Sequence, residues 1–304
     1  MFLEQGIKEE NKFGKYLLGS VFIIFASFLG QLPLLIAIIY QTVFKGKSYP
    51  ASEEVLMRFF EPNLTLFFVL ISFVFALGGI YLVVKHLHRQ TFQSIVTSRI
   101  KIDWSRVLFS FIVWSLFTIV STVLFYYLSP SDFVLNFKPI PFFILVLIGC
   151  LLIPIQTSVE ELVFRGYLMQ GFANLSRNRW FPLLMTSTIF GLMHILNPEV
   201  TKVGYIIMVY YIGTGLLLGI ITLMDEGMEL ALGFHAANNL VGALLVTSDW
   251  SAFQTYSIFK DVSEPAAGVD IILPVVVIYP ILLVIFGIKY NWTNWQEKLT
   301  GKIK

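Results

Sequence analysis

The stretch Ile271-Ile-Leu-Pro-Val-Val-Val-Ile278 decides the fold class, because its apolar residues follow one another without alternation. A membrane β-barrel would require strands of about ten residues in which apolar and polar side chains alternate. The stretch begins one of eight apolar runs, most of them about 20 residues long, which is enough to cross roughly 30 Å of hydrocarbon as a helix. Hydrocarbon offers the backbone no hydrogen-bond partners, so these runs must be helices packed on one another. We therefore predict an all-α membrane protein, a polytopic bundle of about eight transmembrane helices.

The predicted spans occur at regular intervals, and the first is too long to be the core of a signal peptide. They lie near residues 16–43, 64–84, 107–128, 140–160, 181–196, 204–224, 228–246 and 271–288. The fourth span runs into charged residues, and the fifth is short. No soluble domain interrupts this series, so residues 1–304 are predicted to form a single polytopic membrane domain.

The composition excludes most other classes of protein. Of the 304 residues, 57% are hydrophobic and 13% are charged, and the mean hydropathy is +0.78, whereas about a quarter of the residues in a soluble domain are charged. Hydrophobicity this high also excludes intrinsic disorder. The net charge of +2 is too small to indicate nucleic-acid binding. The single cysteine, Cys150, excludes an intramolecular disulfide and a Cys-rich zinc cluster.

The distribution of Lys and Arg predicts the orientation. With eight spans, 15 of the 21 basic residues fall on the side that holds both chain ends, and the other 6 fall on the opposite side. Cytoplasmic segments carry the excess of Lys and Arg. The sequence thus predicts a multi-pass protein of the cell (plasma) membrane with cytoplasmic N- and C-termini. The cluster Lys85-His86-Leu-His88-Arg89 is interpreted as one of these basic flanks, in which the histidines are incidental.

Ionisable residues within predicted spans are costly and so indicate function. They occur in three places: Ser158-Val-Glu160-Glu161-Leu-Val-Phe-Arg165-Gly166, where the fourth span ends or continues; Phe190-Gly-Leu-Met-His194, inside the fifth; and His235-Ala-Ala-Asn238-Asn239, inside the seventh. By a rise of about 1.5 Å per residue, these residues share a slab between the membrane centre and its cytoplasmic side. A lone histidine could simply make an interhelical hydrogen bond, but four polar residues on three helices are harder to explain in that way.

The spacing predicts which of these side chains pair. Glu161 and Arg165 are four residues apart and can form an ion pair on one helix face. Glu160 lies about 100° around the helix and lacks that partner, so its carboxylate is left free. His235 and Asn239 are also four residues apart and share a face. The alternative for the two glutamates is that both cap the helix at the membrane surface in contact with water.

Two chemistries fit this set of residues. A Glu and a His can hold and deprotonate a water molecule, while a second His and an Asn amide can donate to an oxyanion, which together are the parts for peptide hydrolysis. The same side chains, Glu160, His194 and His235, could instead ligate zinc with a water in the open position. Other protease patterns are missing, since the chain has no His-Glu-x-x-His and no Gly-x-Ser-x-Gly, and Asp225 offers no aspartyl pair.

The three motifs Glu160-Glu161-x-x-x-Arg165, Phe190-x-x-x-His194 and His235-x-x-x-Asn239 are similar to those of the CPBP family, the CAAX-protease and bacteriocin-processing membrane proteases, also called the Abi family. Their order, spacing and placement on successive helices all agree with the family. The resemblance covers residues 140–246, which we expect to be the catalytic core. The rest of the chain suggests a bacterial-type member.

The resemblance implies a role for each motif residue. Glu160 and His194 would activate the attacking water, His235 and Asn239 would stabilise the oxyanion, and Glu161 and Arg165 would support the site. It further implies a glutamate-type endopeptidase without a metal, zinc being the alternative, which acts on a peptide or lipidated protein in the bilayer. Some bacterial members of the family are tied to bacteriocin self-immunity, so a non-catalytic immunity or scaffold protein is the competing hypothesis.

Overall fold

Eight apolar helices form the body of the protein, which agrees with the predicted all-α membrane architecture. The computed structural model describes residues 1–303. In chain order the helices are α1 (Phe13–Lys45), α2 (Pro62–Leu87), α3 (Trp104–Leu128), α4 (Pro139–Ser176), α5 (Trp180–Leu192), α6 (Tyr205–Asp225), α7 (Glu229–Leu245) and α8 (Ile271–Lys289). Six of them, all except α5 and α7, are long and apolar enough to cross a membrane.

Short elements connect these helices. Single turns of helix lie at Leu3–Gly6, Glu53–Met57, Phe92–Ile95, Pro130–Asp132 and Pro198–Val203, and a six-residue helix, α9, spans Trp295–Thr300. Three short strands, β1 (Phe133–Leu135), β2 (Val246–Ser248) and β3 (Phe259–Asp261), form a small sheet in the order β1-β3-β2. In this sheet β3 pairs antiparallel with β1 and parallel with β2. The sheet ties the loops after α3 and α7 together at one end of the bundle.

The fourth and fifth spans differ from their predicted bounds. Helix α4 continues well past the predicted end at residue 160, to Ser176, and is 38 residues long. Helix α5 ends at Leu192 and not near residue 196, as the sequence predicted. Asn197 has extended backbone angles (φ −59°, ψ 145°) because the residue before a proline is driven out of the helical region.

Helix α4 is the centre of the bundle, in contact with α1, α2, α5, α6 and α7. Helix α7 packs most extensively against α3, and α5 packs against α6. Glycines permit the α5–α6 approach, since a Cβ atom at Gly215 would lie 2.8 Å from the carbonyl oxygen of Ser187. Large apolar side chains such as Phe28, Leu147 and Ile288 are exposed on the outside of the bundle, as expected for a surface in lipid.

Both ends of the chain fold back onto the corner between α4 and α5. The side chains of Phe2 and Leu3 are fully buried, and Glu4 lies 3.7 Å from the Arg179 guanidinium. At the other end, the Ile303 amide donates to the carbonyl of Arg177 over 2.9 Å.

Next to this corner is an ion-pair network. Arg99 bridges Asp225 and Glu229, at 2.8 and 3.0 Å, where α6 ends and α7 begins. The network fixes the connection that leads into α7.

Candidate active site

The two glutamates of the first motif lie in the middle of α4, immediately before a π-helical segment at Leu162–Leu168. Such segments interrupt the α-helical hydrogen bonding and are frequent at functional sites. Glu161 is fully buried, whereas 19% of the Glu160 side chain is exposed. The two adjacent carboxylates therefore have different environments, as the 100° separation predicted.

Glu161 is the centre of a buried ionic group. Its Oε1 atom lies 3.1 Å from Nη1 of Arg165 and 2.7 Å from Nδ1 of His235. The predicted Glu161–Arg165 pair is therefore confirmed. Arg165 is also fully buried, and it donates to the carbonyl of Gly215 over 3.3 Å and lies 4.3 Å from the ring centre of Phe190. Removing one member of such a pair costs about 3–5 kcal/mol because the other charge is left buried and uncompensated.

The hydrogen bond to Glu161 fixes the orientation of His235. An ionised carboxylate only accepts hydrogen bonds, so Nδ1–H of His235 is the donor. The other ring nitrogen, Nε2, consequently points toward the second carboxylate and lies 3.6 Å from Oε2 of Glu160. His235 thus joins the two glutamates, with Glu161 holding one side of its ring and Glu160 facing the other.

Asn239 lies one turn after His235 on α7 and is connected to the Glu160 carboxylate through Gln156. Its Nδ2 atom donates to Oε1 of Gln156 over 3.1 Å, and the Gln156 amide donates to Oε1 of Glu160. Gln156 is 4% exposed and precedes Glu160 by one helical turn. We did not predict Gln156 from the sequence, although a glutamine in an apolar run at i−4 from a motif glutamate was a signal.

His194 is in a different position from the one predicted. It lies in the turn after α5 and not inside a span, because α5 ends at Leu192. Its Nδ1 atom is 2.8 Å from the carbonyl oxygen of Phe190, and its ring stacks on Tyr211 at 4.5 Å. A carbonyl only accepts hydrogen bonds, so Nδ1 carries the proton and Nε2 keeps a lone pair.

The Phe190 ring contacts both histidines, with its centre 4.9 Å from that of His194 and 5.9 Å from that of His235. The fold therefore brings Glu160, Glu161, Arg165, His235 and Asn239 into one connected group. His194 lies beside that group and contacts it through the Phe190 ring. Within residues 1–303 no ion pair joins His194 to Glu160.

Comparison with known proteins points to the same part of the chain. Residues 139–241 match the family described as type II CAAX prenyl endopeptidase Rce1-like. This segment of the chain is therefore similar to the Rce1-like (CPBP) family. It is also 28% identical over 249 residues to the uncharacterized protein YyaK of Bacillus subtilis (strain 168), an alignment that covers 81% of this chain and 82% of that relative. No solved structure matches the chain.

The Rce1-like match covers helices α4 to α6 and most of α7, and therefore all three motifs. The match supports, at the level of the family, an intramembrane endopeptidase. Together with the apolar helices, it supports a multi-pass membrane protein.

The zinc alternative can be tested against the positions of these side chains in the Rce1-like segment. Among residues 1–303, no group of three His, Cys, Asp or Glu side chains is close enough to hold a metal ion. Of the predicted ligands, His235 already binds the Glu161 carboxylate through its Nδ1 atom. His194, the third predicted ligand, faces Phe190 and Tyr211. This arrangement does not fit the four-coordinate geometry that zinc requires.

Proposed function

We propose that the chain is an intramembrane endopeptidase that hydrolyses peptide bonds with a water activated by Glu160 and His194. The observation that carries the proposal is the environment of Glu160, a partly exposed carboxylate in an apolar bundle, with His235 Nε2 at 3.6 Å. Water and a peptide can reach such a carboxylate, whereas the adjacent Glu161 is fully buried.

In the proposed reaction, Glu160 takes a proton from a water molecule while the water oxygen bonds to the scissile carbonyl carbon. His194 would orient the same water, because its Nε2 atom keeps a lone pair when Nδ1–H donates to Phe190. The tetrahedral intermediate then carries a negative oxygen. When its C–N bond breaks, Glu160 returns the proton to the leaving nitrogen, and the enzyme regains its starting state.

Two donors are available for the negative oxygen. His235 would donate from Nε2 in its doubly protonated form, while Nδ1–H continues to donate to Glu161. Asn239 would donate one of its two amide hydrogens, the other being bound by Gln156. Donors that are already held in place stabilise a developing oxyanion because no reorganisation is needed during the reaction. In this scheme Glu161 and Arg165 support the reaction by fixing the ring of His235.

The substrate class proposed is a membrane-associated or lipid-modified peptide. The outer surface of the bundle is apolar, and the turn after α5 exposes Met193 and Leu196 by 69% and 77%. These side chains lie within three residues of His194, so an acyl or prenyl chain would approach the site along a lipid-like surface. A farnesylated peptide with a C-terminal CAAX sequence is therefore the first probe to use.

The proposal is tested with Glu160→Gln and His194→Ala in purified enzyme reconstituted with that farnesylated peptide. Both variants are expected to lower kcat by at least about 100-fold, because each removes a group that contacts the attacking water. Glu297→Gln, the same substitution at an exposed position of α9, is the control and should cleave at the normal rate. A non-catalytic immunity or scaffold protein would keep its phenotype in both site variants, and that outcome would overturn the proposal.

A second measurement addresses the catalytic type. The enzyme is expected to keep its full activity after exhaustive treatment with a strong chelator, with the metal content measured on the same sample. Activity that disappears with the metal and returns with added zinc would contradict the glutamate-type reaction.

A further inference from the structure

A chain of four hydrogen bonds connects α3, α7 and α4 and ends on Glu160. Nε1 of Trp114 donates to Oδ1 of Asn238 over 3.1 Å, and Nδ2 of Asn238 donates to Oδ1 of Asn239 over 3.1 Å. Nδ2 of Asn239 then donates to Oε1 of Gln156 over 3.1 Å, and Nε2 of Gln156 donates to Oε1 of Glu160. We call Trp114, Asn238, Asn239 and Gln156 the amide relay.

The chemistry of the two ends fixes the direction of the relay. An indole N–H only donates, and an ionised carboxylate only accepts. The oxygen of Asn238 must therefore face Trp114, and the amide nitrogen of Gln156 must face Glu160. Asn239, between them, then accepts from Asn238 and donates to Gln156. Each of the three amides has one orientation that satisfies both neighbours.

Burial makes this direction hard to reverse. Trp114 is 6% exposed and Gln156 is 4% exposed, and both lie in helices surrounded by apolar side chains. If the Asn239 amide turned over, two N–H groups would face each other on one side and two oxygens on the other. Leaving a buried donor or acceptor unpaired forfeits its hydrogen bond to water without replacing it, which destabilises the flipped orientation.

We propose that Trp114, Asn238 and Gln156 are positioning residues that hold the Glu160 carboxylate and the Asn239 amide in their working orientations. This inference rests on the proposed function. The relay presents the N–H side of Asn239 to the neighbourhood of Glu160, where the oxyanion would form, and holds one carboxylate oxygen of Glu160. The other oxygen, Oε2, is then left to face His235 and the water.

The proposal predicts a loss in kcat without a loss in substrate binding. Trp114→Phe removes only the terminal N–H and keeps an aromatic ring against Phe234, whose centre lies 4.4 Å away. Gln156→Met and Asn238→Leu remove the internal links at similar volume. With the farnesylated CAAX peptide in vesicles, each variant is expected to lower kcat about 10-fold, with KM changed by less than about twofold, because misoriented groups act in the transition state.

The double variant Trp114→Phe/Gln156→Met tests whether the two substitutions affect kcat through the amide relay or through independent structural damage. Residues of one hydrogen-bonded chain are coupled, so the double variant should lose clearly less than the product of the two single losses. Thr118→Val is the control, since its hydroxyl donates to the backbone carbonyl of Trp114 and lies outside the relay. The melting temperature of every variant in detergent shows which of them are folded.

The outcomes for the two proposals differ. If Glu160→Gln still cleaves the peptide, the proposed function fails. If Glu160→Gln is inactive while folded Gln156→Met and Trp114→Phe keep the normal kcat, only the relay is overturned. A loss of kcat in the double variant equal to the product of the two single losses would also overturn the relay. If Gln156→Met did not fold, the kcat values of Trp114→Phe and Asn238→Leu would test the relay.

Discussion

His88 is fully buried where α2 ends, and its Nε2 atom lies 2.8 Å from the hydroxyl of Tyr167 on α4. Its ring also lies 4.3 Å from that of Tyr16 on α1. The interpretation of this histidine as an incidental part of a basic flank is therefore wrong. Burial, with smaller contributions from the charges of Lys15 and Lys8, lowers the pKa of His88 to about 4.

This shift predicts that stability falls in mildly acidic solution. Between pH 6.5 and pH 4 an unfolded His88 binds a proton that the folded protein excludes, so the free energy of unfolding decreases as the pH is lowered through this window. The full effect is roughly 3 kcal/mol. Thermal unfolding in detergent from pH 7.5 to pH 4.5 should show a smaller pH dependence for His88→Asn than for the unchanged protein.

His86 provides the matched control for this prediction, because it is exposed and only two residues away. His86→Asn is expected to keep the pH dependence of the unchanged protein. The same slope in both variants would contradict the prediction.

At the residue level, the sequence predicted the Glu161–Arg165 contact within α4 and missed the contacts between helices. The Glu161–Arg165 pair follows from a spacing of four on α4. The Trp114–Asn238 hydrogen bond joins residues 124 positions apart, and no spacing rule relates α3 to α7. The bond between Asn239 and Gln156 was missed for the same reason.

At the level of elements, the close contact between α3 and α7 requires a glycine, Gly233, on α7. A methyl group at Gly233 would overlap the carbonyl oxygen of Val107 and lie 3.0 Å from the backbone nitrogen of Phe111. Gly242, on the same helix, has no atom within 4 Å of the corresponding position. The two glycines of α7 therefore differ in packing alone.

Gly233→Ala is expected to lower the free energy of unfolding by about 1–3 kcal/mol, because the backbones must move apart to admit the methyl group. It should also lower kcat, since His235 is two residues away. Gly242→Ala should be neutral or should stabilise α7 by up to about 1 kcal/mol through helix propensity. Melting temperatures of both variants check this, and equal values would exclude a close-packed α3–α7 contact.

The end of α5 shows that hydropathy predicts the presence of a helix better than its last residue. Apart from His194, apolar residues continue to Leu196, so the run predicted a longer α5. The helix ends at Leu192, and Pro198 keeps Asn197 out of the helical region before a separate short helix at Pro198–Val203. Apolar content predicted that α5 exists, and local backbone preferences decide where it ends.

At the level of the whole molecule, the length of α5 has a consequence for the membrane. Its 13 residues span about 20 Å, which is less than the roughly 30 Å of hydrocarbon in a typical bilayer. We therefore expect the lipid beside α5 to be thinner, at a cost that grows with the mismatch.

Cleavage of the farnesylated peptide is accordingly expected to slow severalfold as the acyl chains of the vesicles are lengthened from 14 to 22 carbons. The reason is that a thicker bilayer strains the turn that carries His194. As a control, enzyme is recovered from each type of vesicle and its cleavage rate is measured in detergent micelles, which adapt to the protein. These rates should all be equal. A rate independent of chain length would show that α5 does not set the local thickness.

The overall architecture was predictable because hydrophobic length alone specifies membrane helices. The small sheet was not, because β1, β2 and β3 have three residues each and β1 pairs with β3 across more than 100 residues of chain. The predicted orientation, with both termini in the cytoplasm, stays a prediction for a protease-accessibility experiment.

The corner between α4 and α5 has a consequence for biosynthesis. The amide of Ile303 donates to the carbonyl of Arg177, and the amide of Arg179 donates to the carbonyl of Gly301 over 3.1 Å. A ribosome makes the residues of this corner more than 120 positions before the residues that cover it. All eight apolar helices must therefore leave the ribosome before the end of α4 acquires its last backbone partners. Until then, that end of the helix is held by its neighbours in the membrane and by the N-terminal residues, where Gln170 donates to the carbonyl of Phe2.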